Sequence, residues 1–407
     1  MAYRVLFIDH TAKLGGGEIF LLNLLPHLVG PVTPVVLLFE DGPLRHELER
    51  RKIEVHLFRA SGELVNTNRD SMARFTGAAI HRGLSAVRMS LHLQRVISTL
   101  NVDVVHTNNL KACLIGGLAA RLMRKPLVWH IHDRISQDYL PTKVVKLVRT
   151  MARFIPNAVI ANSLATQTTL KLPRSKMTRV IYPGVSEVGT VSSTVRGHLT
   201  RIGIVGRLSE WKGQHIFLEV AARVLKEYPE TEWVIVGAAL FGEDDYSNQL
   251  KARAAQPDLD GHVVFRGFQS DVVTEMRNLD IVMHCSTSPE PFGQVITEAM
   301  ALQKPVIATR AGGVLEIIED GTSGLLVDMG NVREASELVT MLIDKPLVAK
   351  VLGENGRKRV LEHFTIQASA LATLELYTEL LGSGDPQNHG GEDASCGTHT
   401  GPKSAVK

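Results

Sequence analysis

Cysteine is scarce in this chain of 407 residues: Cys113, Cys285 and Cys396 stand far apart, odd in number and without metal-ligand spacing. A disulfide scaffold and a zinc site are thereby excluded as readings, and a reducing compartment is expected. Long hydrophobic runs are also lacking. The longest uncharged apolar runs, such as Ile19 to Leu25, fall short of the roughly 20 residues that span a bilayer. The apolar stretch near the start, within Met1 to Asp9, is too short for a signal peptide and reads as a first buried strand. Leu14-Gly15-Gly16-Gly17-Glu18 lacks both the Gly-x-Gly-x-x-Gly order of a dinucleotide site and the Gly-Lys-Ser/Thr ending of a P-loop.

What is present fits a soluble globular chain long enough for two domains, with an ordinary apolar share of 44%. The net charge of +3 hides an asymmetry: residues 1–185 carry 25 Lys/Arg against 12 Asp/Glu, and residues 186–407 carry 20 against 30. A basic first half could attract anionic lipid, an anionic acceptor or nucleic acid; solvated surface and attraction between the halves is the plain alternative. Short apolar runs alternate with amphipathic ones throughout. Val5 to Asp9, Val35 to Phe39, Val55 to Phe58, Val102 to His106, Leu127 to His132, Ala158 to Asn162 and Val180 to Tyr182 read as buried parallel strands. Glu18 to Leu28, Ala86 to Leu100, Ala112 to Met123 and Lys143 to Arg153 read as helices between them. A second series has strands at Arg201 to Val205, Glu232 to Val236, His262 to Phe265, Ile281 to His284, Pro305 to Ala308 and Gly324 to Val327. The expected fold class is therefore α/β, with two Rossmann-like, doubly wound parallel sheets and a cleft between them. The expected boundaries are 1–185 for a first domain, 186–200 for a linker and 201–365 for a second domain. Residues 366–382 would form a final helix, and 383–407 a disordered tail; residues 60–82 read as a mobile loop or short helix.

In such sheets chemistry gathers in the loops beyond the carboxyl ends of strands. Gly15-Gly16-Gly17 follows the first strand, and its amides can approach an anion or a sugar closely. Trp129-His130-Ile131-His132-Asp133 ends another strand, with His130 and His132 on one face. Alone, each of these histidines and the strand-end His284 reads as a packing or hydrogen-bonding residue. Gly206-Arg207-Leu208 with Lys212-Gly213 opens the second series, and two cations converging there suit a diphosphate. Glu290 and Glu298 flank Pro291-Phe292-Gly293-Gln294-Val295-Ile296-Thr297. Pro291 keeps Glu290 extended, while Gly293 to Leu302 can wind into a helix whose first amides face the same pocket.

Taken together, these residues resemble the retaining nucleotide-sugar glycosyltransferases of family four, glycosyl transferases group 1, with the GT-B fold. Pro305 to Ala308 with Gly312-Gly313 and Glu316, Gly15 to Gly17, His132-Asp133, Ala161-Asn162-Ser163 and Tyr182-Pro183-Gly184-Val185 extend the resemblance over about residues 3–380. It implies that Arg207 and Lys212 hold the donor diphosphate, Glu298 the ribose hydroxyls and Glu290 the transferred sugar. Amides at Phe292, Gly293, Gln294, Val295, Gly16 and Gly17 would border sugar and phosphates. Phe268, after Gly267, would lie by the nucleobase, and His132 would sit over the sugar. The final helix would cross back to the first domain. Retention by a front-face route follows from the same resemblance, with His132, Arg207, Lys212 and Glu290 as the catalytic set. No metal and no cofactor is expected, on the reading that the chain has no Asp-x-Asp metal motif and that cations take the place of a metal. The implied reaction moves a sugar from a UDP- or GDP-sugar to an acceptor hydroxyl, in polysaccharide, glycolipid or glycoconjugate synthesis. The implied partners are the nucleotide-sugar donor and a carbohydrate or lipid-linked acceptor, without nucleic acid. A cytoplasmic location is expected, with the inner membrane face as the surface for the basic half. A nucleotide-sugar epimerase on the same fold, or a transferase with a soluble small-molecule acceptor, is the alternative.

Overall fold

The computed structural model describes residues 2–58, 79–186, 200–240 and 242–382. The tail expected at 383–407, and most of both the linker (186–200) and the loop (60–82), lie outside these residues. Thirteen strands form two wholly parallel sheets among the described residues. The first contains β1 (Tyr3–Asp9), β2 (Val32–Leu38), β3 (Glu54–Leu57), β4 (Val104–Thr107), β5 (Leu127–Ile131), β6 (Ala158–Ala161) and β7 (Met177–Val180), in the order β3-β2-β1-β4-β5-β6-β7. The second contains β8 (Arg201–Val205), β9 (Glu232–Val236), β10 (Val263–Gly267), β11 (Ile281–His284), β12 (Val306–Thr309) and β13 (Leu325–Val327), in the order β10-β9-β8-β11-β12-β13.

Alternation along each strand feeds two cores per sheet. Leu6 and Ile8 pack on one face of the first sheet with Val35, Leu37 and Trp129, while Val5 and Phe7 pack on the other with Val36, Leu38 and Val128. In the second sheet Ile202, Ile204, Trp233 and Ile235 oppose Val234, Val236 and Val282. Both faces are buried under helices, which is why the strands read as near-continuous apolar runs.

Strand order reverses between β1 and β4 in the first sheet and between β8 and β11 in the second. The crevices opened at these switch points are where ligands settle in doubly wound folds. The helix start that follows the loop after β1 carries Gly16 and Gly17, and the segments after β4 and β5 carry Asn108 and His132; those after β8 and β11 carry Arg207, Lys212 and Glu290.

The structure shifts some expected boundaries. Residues 79–82, the end of the segment expected as a mobile loop or short helix, belong to the long helix Ala79–Thr99, which starts ahead of the expected Ala86. The strand expected at Val180 to Tyr182 runs instead over Met177–Val180, because Pro183 cannot extend a ladder. The chain then turns back. Val185 N donates to Phe364 O at 2.8 Å and Ile366 N to Val185 O at 3.0 Å, joining the chain's exit from the first sheet to its return. Helix Ile366–Gly382 packs Ile366, Ala370, Leu376, Tyr377 and Leu380 into the core of the first sheet.

Candidate functional site

The loop after β11 builds the second-domain wall. Glu290 is 7% exposed and pairs with Gly312 in an isolated bridge, with Gly313 N donating to its carbonyl at 2.9 Å. A Cβ on Gly312 would stand 2.2 Å from Glu290 O, so only glycine admits this approach. Three donors reach the carboxylate: Lys212 Nζ lies 2.8 Å from Oε1, and Ser286 Oγ and His284 Nε2 lie 2.9 and 3.1 Å from Oε2. Burial alone would raise the Glu290 carboxyl, but Lys212 and His284 outweigh it and hold the group well below the usual carboxylate range. Lys212 also lies 4.3 Å over the Trp211 ring.

Gly293, at φ 113°, caps the helix Gln294–Ala301, one residue shorter at each end than the expected Gly293 to Leu302. Gln294 Nε2 donates to Glu298 Oε1 at 3.1 Å, and burial pushes the Glu298 carboxyl up to about 7, against the lowering effect of Gln294. The Phe292 side chain is core, stacked on Tyr182 with ring centres 5.7 Å apart, so only its backbone can border a ligand. Val295 is half-buried beside it.

The first-domain wall is polar and tightly packed. Gly15 caps the helix Gly16–Leu28; the Glu18 carboxyl already takes the Gly15 and Glu18 amides, so those of Gly16 and Gly17 are the ones a ligand could meet. A Cβ on Gly16 would lie 3.8 Å from Gln294 Oε1, so the glycine turn and the Gln294–Glu298 end face each other across the cleft. His132 stacks on His130 with centres 4.2 Å apart, and its Nε2 is 3.3 Å from Asn108 Oδ1. Burial holds its imidazole down to about 4, so the ring is neutral at neutral pH. Behind it, His130 Nδ1 meets His106 Nε2 at 3.2 Å, and His106 Nδ1 meets Tyr377 Oη at 2.6 Å. Glu18 is raised well above its ordinary value by burial and then by Asp9.

The structure thus brings together Lys212 with Glu290, Gln294 with Glu298, Gly17 with His132, and Gly16 with Gln294. Arg207 Nη1 lies 3.6 Å from Glu243 Oε1, a neighbour unnamed by the sequence reading. Phe268 stands on the edge strand's end, 57% exposed, after Gly267 at φ 66°. Sequence reasoning missed Ser286 and Asn108 and read His284 as a packing or hydrogen-bonding residue, without naming Glu290 as its partner. The signal for His284 and Ser286 was available, since both stand at or just past the carboxyl end of β11, two residues apart.

Asp258-Leu259-Asp260 does have Asp-x-Asp spacing, contrary to the sequence reading. Asp258 pairs with Arg253 at 2.9 Å and Leu259 is buried in the second domain's core, so the triplet is committed to a surface turn. Among the described residues no cluster of three or more His, Cys, Asp or Glu is arranged to hold a metal ion.

Two family models match: glycosyl transferases group 1 over residues 193–359 and glycosyltransferase family 4 over residues 14–187. Among curated relatives, spore coat protein SA of Bacillus subtilis is 31% identical over 180 residues, 42% of this chain and just under half (47%) of that protein. The lipopolysaccharide core biosynthesis mannosyltransferase LpcC of Rhizobium leguminosarum is 26% identical over 303 residues, 72% of this chain and 83% of that protein. Among solved structures, Anabaena HepE in complex with UDP-glucose is similar at 29% identity and TM-score 0.78, covering 93% of this chain and 100% of that one. HepE has also been solved with UDP and glucose.

Proposed function

Because the chain belongs to the glycosyl transferases group 1, with a GT-B fold, we propose that it transfers a sugar from a nucleotide diphosphate donor to an acceptor hydroxyl with retention at the anomeric carbon. The observation that carries this reading is the Lys212–Glu290 pair, buried at the β8/β11 switch point and backed by His284 and Ser286. A fixed cation beside a fixed, ionised acceptor suits a leaving diphosphate next to a sugar hydroxyl.

In the front-face route the acceptor oxygen bonds to the anomeric carbon on the side from which the diphosphate leaves. The bond from carbon to the β-phosphate oxygen breaks, its electron pair stays on the phosphate, and a phosphate oxygen takes the acceptor proton. Lys212 and Arg207 neutralise the charge that gathers on the diphosphate. Glu290 accepts from hydroxyls of the transferred sugar and Glu298 from the ribose, while Phe268 offers a face for the base. The UDP and UDP-glucose complexes of HepE support a uridine donor.

A thermal-shift panel of UDP- and GDP-sugars tests the donor, since a ligand bound only by the folded chain raises its melting temperature. A panel in which no nucleotide sugar shifts the transition overturns the reading.

In the first domain, Arg121, Arg124 and Lys125 line a cavity of ≈ 380 Å³ with Pro126 and Asn157, just before β5 and β6 and therefore at the end of the sheet opposite the cleft, and the first half is basic. Both support contact with an anionic membrane surface, from which a lipid-linked acceptor would reach the cleft. Sedimentation with anionic and neutral liposomes decides, and equal, negligible binding to both removes the membrane part. No described helix is long and apolar enough to cross a membrane.

A further inference from the structure

Asn108 follows β4 at the first-domain switch point and touches both first-domain pieces of the cleft. Its Nδ2 lies 2.9 Å from Asp9 Oδ2 and 3.2 Å from the Gly17 carbonyl, and its Oδ1 lies 3.3 Å from His132 Nε2. Which end of a side-chain amide is nitrogen is settled by what surrounds it. A main-chain carbonyl can only accept, so Gly17 selects the NH₂ end. Asp9 selects the same end. Its Oδ1 already accepts from Thr11 N at 3.1 Å and from the Asn109 amide, and the orientation of Asn109 is fixed by Ala112 N donating to its Oδ1 at 3.0 Å.

With both Nδ2 hydrogens given to acceptors, Oδ1 faces His132, and the ring nitrogen opposite it must carry the hydrogen. A ring kept neutral by burial has one N–H only, so Nδ1 is left with a lone pair. The ring has little freedom to turn. His130 stacks on one side, and the Cδ2 edge lies against Gly17, where even a Cβ would come within 3.3 Å.

We propose that Asn108 is a positioning residue that locks His132 in its Nε2–H form, so that Nδ1 meets a hydroxyl of the donor sugar as a hydrogen-bond acceptor. This rests on the transferase reading for the identity of the hydroxyl. It assigns His132 an orienting role and removes it as a proton donor to the leaving group, because the nitrogen offered to the ligand carries no hydrogen.

The test uses the full chain labelled with ¹⁵N-histidine, whose two-bond ¹H–¹⁵N correlations report each ring's protonated nitrogen at pH 7.5. His132 is assigned by the signals lost in His132→Gln. The expected spectrum shows Nε2–H in the unmutated chain and a mixture of the two forms in Asn108→Ala. In that variant kcat for sugar transfer should fall about tenfold, the size of one misplaced hydrogen bond, with the donor KM changed by less than about twofold. An Nδ1–H form in the unmutated chain overturns the proposal, as does an Asn108→Ala protein with unchanged tautomer and unchanged kcat. The unmutated spectrum needs neither a donor nor a stable variant. It therefore stands or falls separately from the transferase reading, which the donor panel tests.

Discussion

Removing the Lys212 charge should reveal how Glu290 is held. In Lys212→Met the side chain keeps most of its volume and loses its charge, so Glu290 Oε1 loses the cation that stood at 2.8 Å. Breaking a buried ion pair from one side costs about 3–5 kcal/mol. The lower end, about 3 kcal/mol, is expected here because Ser286 and His284 still reach Oε2 and Lys212 keeps 20% of its side chain in solvent. Glu290→Gln in the same background removes the stranded charge and should restore about 2 kcal/mol of that.

The pH dependence should change sign as well. In the unmutated chain Glu290 is held below its ordinary 4.5, so its contribution is present above that value and lost as pH falls. In Lys212→Met burial has fewer opponents, the carboxyl moves up, and stability is lost as pH rises through its new value. Urea denaturation of the unmutated chain, both single variants and the double variant at pH 5 and pH 8 measures all of this. A double variant no more stable than Lys212→Met at pH 8 would refute the stranded-charge argument.

Other consequences can be measured separately. Glu298 sits near 7 in the folded chain against an ordinary 4.5, so the ligand-free protein should lose stability as pH rises from 4.5 through 7. Glu298→Gln should flatten that part of a melting-temperature profile, and an unchanged slope argues that the group is not buried enough to matter. Gly17→Ala places a methyl 3.3 Å from His132 Cδ2 and should cut transfer about tenfold through a displaced ring while leaving nucleotide binding nearly intact; equal turnover would show that the turn yields freely. Tyr377→Phe removes the 2.6 Å bond to His106 Nδ1 in a fully buried setting and should cost about 1–3 kcal/mol in chemical denaturation. A loss under about 0.5 kcal/mol would mean that the hydroxyl was never satisfied by the histidine.

The sheets were legible because both faces of each are buried, which turns strands into apolar runs punctuated by helices of a different period. Twelve of the thirteen strands share most of their length with the segments expected, and Met177–Val180 shares only Val180 with its own. Ends were less legible: Met177-Thr178-Arg179 is no apolar run, and only its pairing with Ala158 to Ile160 makes it a strand. The site divided the same way. Glu290 and Glu298 stood out through their spacing around Pro291, whereas His284, Ser286, Asn108 and Glu243 are ordinary polar residues whose meaning comes from what folding puts beside them. His284 is the instructive case. A strand-end histidine usually packs or hydrogen-bonds, and this one does so with the carboxylate of Glu290 as its partner.

One more relation was invisible to sequence spacing, and it bears on how the cleft is set. Pro291 O accepts from Ser163 Oγ at 2.5 Å and from Thr166 Oγ1 at 3.3 Å, both from the first domain. Glu316 reaches the same helix, accepting from Leu164 N at 2.7 Å, Ala165 N at 2.8 Å and the Tyr182 hydroxyl at 3.0 Å. The residue next to Glu290 is thus tied to one domain while Glu290 itself is tied to Lys212 in the other. Any rotation that opened the cleft by breaking the Pro291 bonds would leave Ser163 and Thr166 hydroxyls without their acceptor and would free the loop on which Glu290 stands. The placement of that carboxylate and the relative position of the domains are therefore one structural variable, because the same few residues satisfy both.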